Sequence, residues 1–129
     1  MEHSGFADRP DYRVDIAARR NRVTVSVDGE VLADSVRTLL VDEQDHGLVF
    51  YFPLDDVRLS RFVADARSSV CPFKGTATYR RLDGADPEVL MWSYDDPCAE
   101  VARLAGYVAF YQDAVDLRVG AADPVVSGR

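Results

Sequence analysis

The segment Cys71-Pro72-Phe73-Lys74-Gly75 sets a thiol and a primary amine three positions apart, and Trp92-Ser93-Tyr94-Asp95-Asp96-Pro97 adds aromatic rings and two carboxylates. A thiol attacks only as the thiolate, a form that nearby positive charge favours. Lys74 can supply that charge if its loop curls back, which makes Cys71 and Lys74 the candidate catalytic residues. The plainer reading of Cys71 is a small hydrophobe at the end of an apolar run. No base is at hand for it: His3 lies near the N-terminus and His46 in a polar loop. Cys71 therefore fits the edge of a pocket better than the centre of a reaction.

Lys74-Gly75 also has the makings of an anion site, with charge from the amine and backbone amides that a glycine leaves open to a ligand. It is not a nucleotide P-loop, because the upstream glycine and the serine or threonine directly after the lysine are missing. The alternative is an ion pair between Lys74 and an acid such as Asp55 or Asp56. Trp92 and Tyr94 stand two residues apart on one strand and so share a face, with Tyr79 on the neighbouring strand. Such rings are core by default. Their hydroxyl and indole N–H groups need partners when buried, which favours the mouth of a cavity. The candidate ligand-binding set is therefore Lys74, Gly75, Tyr79, Trp92 and Tyr94.

The paired acids Asp55-Asp56 and Asp95-Asp96 read as helix caps, the second with proline at the first helical position. Cys71, Cys98 and His46 lack the paired short spacing of a zinc site, so neither a metal nor a cofactor is expected.

These residues must be held by a mostly β scaffold. Val23, Val25 and Val27 alternate with Thr24 and Ser26; Asp28-Gly29 supplies a two-residue turn, and Glu30 to Ala33 returns as the second arm of a hairpin. Val36–Val41 and Leu48–Phe52 read as further strands around the polar stretch 42–47, with Pro53 closing the second. Leu59, Phe62, Val63, Ala66 and Val70 recur at helical spacing and predict a helix leading to Cys71. Strands are expected over Gly75–Arg81 and Glu88–Tyr94, joined by a turn through residues 82–87. A second short helix is expected from Cys98 through Val101, Ala102 and Ala105, and strands over Tyr107–Tyr111 and Val115–Val119. The expected fold is mainly β or α+β: a compact antiparallel sheet, closed or nearly closed into a barrel-like form, with one or two short helices. Residues 12–120 make the domain, with flexible tails at 1–11 and 121–129.

The formal charge of −7 disfavours nucleic-acid partners, since the basic clusters, Arg19-Arg20-Asn21-Arg22 and Arg80-Arg81, are short. No apolar run approaches a membrane span and no secretory signal is visible, so a cytoplasmic protein with reduced thiols is expected.

Five segments in order, Val31–Ser35, Tyr51–Val57, Cys71–Tyr79, Trp92–Tyr94 and Gly106–Tyr111, make the chain resemble the small bacterial and fungal proteins of domain-of-unknown-function family 427. The resemblance runs over about residues 20–115 and implies a compact β-rich fold with weight on the Cys-Pro-aromatic-Lys-Gly and Trp-Ser-Tyr segments. The family label leans towards nucleotidyltransferase. Magnesium-dependent transfer needs clustered carboxylates, and the usual Gly-Ser and Asp-x-Asp signature is absent here. The expected function is binding of, and possible action on, a small anionic, partly apolar metabolite. The competing expectation is a non-catalytic interaction module, or a homodimer, docking through Tyr107–Tyr111 or an open sheet edge.

Overall fold

Two apolar faces, not one, organise this chain, and alternation along the strands sorts residues between them. The computed structural model describes residues 4–84 and 88–121. Its strands are β1 (Val14–Ala18), β2 (Val23–Val27), β3 (Glu30–Ser35), β4 (Leu39–Glu43), β5 (Val49–Pro53), β6 (Phe62–Cys71), β7 (Gly75–Leu82), β8 (Val89–Tyr94), β9 (Tyr107–Phe110) and β10 (Asp116–Val119). They form an antiparallel seven-stranded sheet in the order β1-β4-β5-β9-β8-β7-β6 and a three-stranded sheet in the order β10-β2-β3. The fold is mainly β, as expected. Neither sheet closes into a barrel: β1 and β6 remain the edges of the larger sheet.

The β2–β3 hairpin turns on Asp28 and Gly29, both at positive φ (49° and 83°), which is what a tight hairpin turn demands. Val23, Val25, Leu32 and Ala33 bury one face of the small sheet against Phe52, Met91, Val108 and Phe110 of the large one. The opposite face of the large sheet carries Leu39, Val41, Tyr51, Ala77, Tyr94 and Ala109. Along β5 and β9 the alternation is clean: Tyr51 and Ala109 face one core, Phe52 and Val108 the other.

The predicted helix over 59–70 is instead a 3-10 turn (Leu59–Arg61) followed by the long edge strand β6. The pairing of β6 with β7 steps from Ala64↔Arg80 to Ser68↔Thr78, so three residues of β6 stand against Tyr79 alone. That bulge breaks the two-residue alternation and leaves apolar residues at spacings that imitate a helix.

The second predicted helix is realised as 3-10 turns over Ala99–Leu104, with Val101 at non-helical φ −124° and ψ 29°. Cys98, Val101 and Leu104 are buried while Ala102 is exposed. Their spacing of three is the period of a 3-10 turn, which stacks i and i+3. Asp96 is not its cap: Cys98 takes that position without a side-chain bond.

The expected N-terminal tail also departs from expectation within the described residues. Ser4 caps the short helix α1 (Gly5–Asp8), and the Gly5 N–H donates to Pro72 O at 2.6 Å. Phe6 packs edge-on to Phe73 (5.2 Å between centroids), and Tyr12 stacks on the same ring at 3.6 Å. An aromatic in the 72–74 turn gives these residues something to cover, a long-range contact that local composition does not reveal. Residues 122–129 of the expected C-terminal tail lie outside the described residues, as do residues 85–87 of the 82–87 turn.

Candidate functional site

Glu43 ends β4 on the same face as Leu39 and Val41, so strand geometry drives a carboxylate into an apolar core. A buried charge needs a partner. Lys74 provides it: the β6–β7 turn brings its ammonium onto Glu43 Oε1, and both side chains are buried. The Tyr12 hydroxyl donates to Glu43 Oε2, and the His46 imidazole lies 3.8 Å from the same oxygen. Lys74 is therefore ion-paired, as the plainer reading had it, but with Glu43 rather than Asp55 or Asp56. Asp56 is engaged by Ser35 Oγ at 2.6 Å and by Arg37.

The electrostatics follow from these contacts. Burial alone would raise the Glu43 carboxyl; the hydrogen bonds from Lys74 and Tyr12 outweigh it and hold the group below its ordinary value. Burial, then the bond to Glu43, push the Tyr12 phenol up to about 12. Burial also raises Tyr51 and Tyr94, so both hydroxyls stay protonated around neutrality. The site thus offers one carboxylate acceptor, one ammonium and protonated phenols within a few ångströms.

The ion pair lines the floor of an open cavity of about 540 Å³. Val41, Leu48 and Val49 line this cavity together with Tyr51, Trp92 and Tyr94. The Trp92 indole N–H donates to the Tyr51 hydroxyl at 3.3 Å, and the Lys74 ammonium sits 5.9 Å from the Tyr94 ring centroid. Between Tyr51 and Trp92 the sheet carries only Ala109, the Cα partner of both. Ala109 is fully buried and does not itself line the cavity; its small size lets Tyr51 and Trp92 meet above it. Gln112 ties down the rim, accepting from Phe50 N at 3.0 Å and donating to Leu48 O at 3.1 Å.

Of the residues singled out from sequence, Lys74, Trp92 and Tyr94 meet in this cavity. Cys71 is half-buried in the second core and does not line it. Gly75 does not line it either: at φ +116° it turns the chain, and a Cβ there would stand 3.1 Å from Asp96 O. Its missing side chain admits the protein's own backbone, not a ligand. Tyr79 lies across Trp92 in register but lines a neighbouring hollow.

Glu43, His46, Tyr51 and Tyr12 were not singled out. Glu43 had a signal: an acid two residues beyond Leu39 and Val41 continues the inward face of their strand. Placing it in a loop hid that.

A family model described as a domain of unknown function (DUF427), with the short name NTP_transf_9, matches residues 15–120. The chain belongs to this family. No curated protein matches it. Within the DUF427 domain the matched span holds Glu43, Lys74, Tyr51, Trp92 and Tyr94, while Tyr12 lies just outside it. Among the described residues no group of three or more His, Cys, Asp or Glu side chains is placed to hold a metal ion. No helix among them is long and apolar enough to cross a membrane.

Proposed function

We propose that this DUF427 domain binds a small, partly aromatic metabolite in the cavity lined by Tyr51, Trp92 and Tyr94, with its polar end against Glu43 and Lys74. The observation that carries this reading is a buried ion pair forming the floor of an open, aromatic-walled cavity. Ligand sites are built this way, from apolar walls and a few convergent polar groups. Pairing two charges in an interior gives little stability of its own, so a purely structural need explains the pair poorly.

Because Glu43 already balances Lys74, this end of the cavity suits a neutral hydrogen-bonding group better than a bare anion. Glu43, held below its ordinary value, is a weak base and the raised phenols are weak acids, so these groups suit hydrogen bonding to a bound ligand better than proton transfer. A nucleophilic role for Cys71 has no support from its position. The competing reading, an interaction module, loses one of its two surfaces, since β9 lies mid-sheet between β5 and β8 with only Tyr111 exposed at its end, but keeps the open sheet edges β1 and β6.

A thermal-shift screen of a metabolite collection tests the reading. A ligand at a hundredfold excess over its Kd raises stability by about 2.7 kcal/mol. A hit lost in Ala109→Leu, which pushes Tyr51 and Trp92 into the cavity, supports the pocket. A hit indifferent to Ala109→Leu and to Trp92→Leu places binding elsewhere.

A further inference from the structure

Three consecutive residues of an edge strand, Arg67, Ser68 and Ser69, line a second hollow of about 300 Å³ together with Tyr79, Val89 and Tyr111. A regular strand turns alternate residues to one face, so three in a row require an irregularity. The β6 bulge is that irregularity. It re-aims Arg67, and Asp65 fixes the result: the carboxylate accepts from the Arg67 backbone N–H at 2.9 Å and from its Nε and Nη2 at 2.7 and 3.1 Å. Two of the five guanidinium donors are used, which leaves the other face of the fork open. Asp65 is held at about 2 by these bonds, so the clamp persists at any physiological pH. Opposite Arg67, Ser69 Oγ and the Tyr79 hydroxyl stand 2.5 Å apart.

This hollow adjoins the main cavity. Tyr111 lines both, and its ring leans on Trp92 with centroids 4.7 Å apart. Tyr79 faces Trp92 across the β7–β8 register. A ligand lying on Trp92 with its polar end at Glu43 and Lys74 therefore has its other end directed past Tyr111 towards Arg67.

We propose that Arg67, with the hydroxyls of Ser69, Tyr79 and Tyr111, forms a second subsite that takes a carboxylate at the far end of the ligand. The proposal rests on the binding reading above and names its ligand class: an aryl or alkyl-aryl acid, elongated, with a neutral hydrogen-bonding group at the opposite end. Glu88 and Asp113 border the outer side of Arg67. With Asp65, which Arg81 also approaches at 3.8 Å, these three carboxylates outnumber the two guanidinium groups, so no long-range positive field draws the anion and recognition works by direct donation. A singly charged carboxylate suits that better than a dianionic phosphate.

The test titrates the full chain with 3-(4-carbamoylphenyl)propanoate, 5-(4-carbamoylphenyl)pentanoate and the amides of their carboxylates, following emission of Trp92, the single tryptophan. At least one carboxylate should bind about tenfold more tightly than its amide, a difference of about 1.4 kcal/mol. Arg67→Gln should erase the preference and leave amide affinity unchanged, while Arg67→Lys should keep part of it. Equal binding of acid and amide overturns the subsite and leaves the main pocket standing. A preference that survives Arg67→Gln but disappears in the double variant Glu43→Gln/Lys74→Met overturns it too, moving the anion to Lys74. Failure of acids and amides alike to perturb Trp92 overturns both the subsite and the pocket.

Discussion

Trp92 and Tyr51 join hands over Ala109: the indole N–H donates to the phenol oxygen at 3.3 Å, and the rings stand nearly perpendicular at 86°. Leu39, Tyr51, Ala109, Trp92 and Tyr79 are successive Cα partners across five strands. One small residue in that row of large ones lets Tyr51 and Trp92, which line the cavity, lean together above it.

Ala109→Leu should therefore prise Tyr51 and Trp92 apart and push them into the cavity they line. Overpacking a core costs about 1–3 kcal/mol, measurable by urea denaturation, and the Trp92 emission should shift as its surroundings change. Ligand-induced stabilisation should vanish. A variant that keeps its ligand response would show that the binding space lies elsewhere.

Lys74→Met alone leaves Glu43 buried without its cation, a loss of about 3–5 kcal/mol. Glu43→Gln combined with Lys74→Met removes both charges and should cost clearly less than the sum of the single changes. A double-mutant cycle by equilibrium unfolding checks this. Additive costs would mean that the two side chains do not interact in solution.

Gly75→Ala should destabilise by about 1–3 kcal/mol, because φ +116° is a conformation that L residues rarely adopt and the new methyl meets Asp96 O. Its ligand affinity should be unchanged where the protein remains folded. A stable Gly75→Ala variant that cannot bind would restore the glycine to the ligand-binding set.

Tyr12 gives an alkaline signature. Its folded-state value of about 12 lies above the ordinary 10, so its contribution is full below pH 10 and is lost as pH rises through 12. Glu43 acts at the other end: held below its ordinary 4.5, it contributes above that pH and loses its contribution on further acidification. Phenolate absorbance during a base titration should show one tyrosine ionising at lower pH in Glu43→Gln than in the wild type, with burial keeping part of its upward shift. Identical titration curves would remove the Tyr12–Glu43 bond.

The hairpin at Asp28-Gly29 and the shared face of Trp92 and Tyr94 were legible because each is written within a few adjacent residues. Lys74 was legible as a residue of interest, but its partner was not, since Glu43 lies 31 positions away and only the sheet order brings them together. The β6 strand was misread for a physical reason: the bulge at Asp65–Arg67 erases the alternation that marks a strand. The role of Ala109 could not be seen at all, because a small residue between two large ones acquires meaning only in the assembled register.

The most direct measurement is Trp92 fluorescence during titration with whichever metabolite most stabilises the protein, in the wild type and in Ala109→Leu. The account predicts a saturable change in the wild type, with a midpoint matching the thermal-shift Kd, and no change in Ala109→Leu. Stabilisation without any Trp92 response, or an equal response in both proteins, would contradict it.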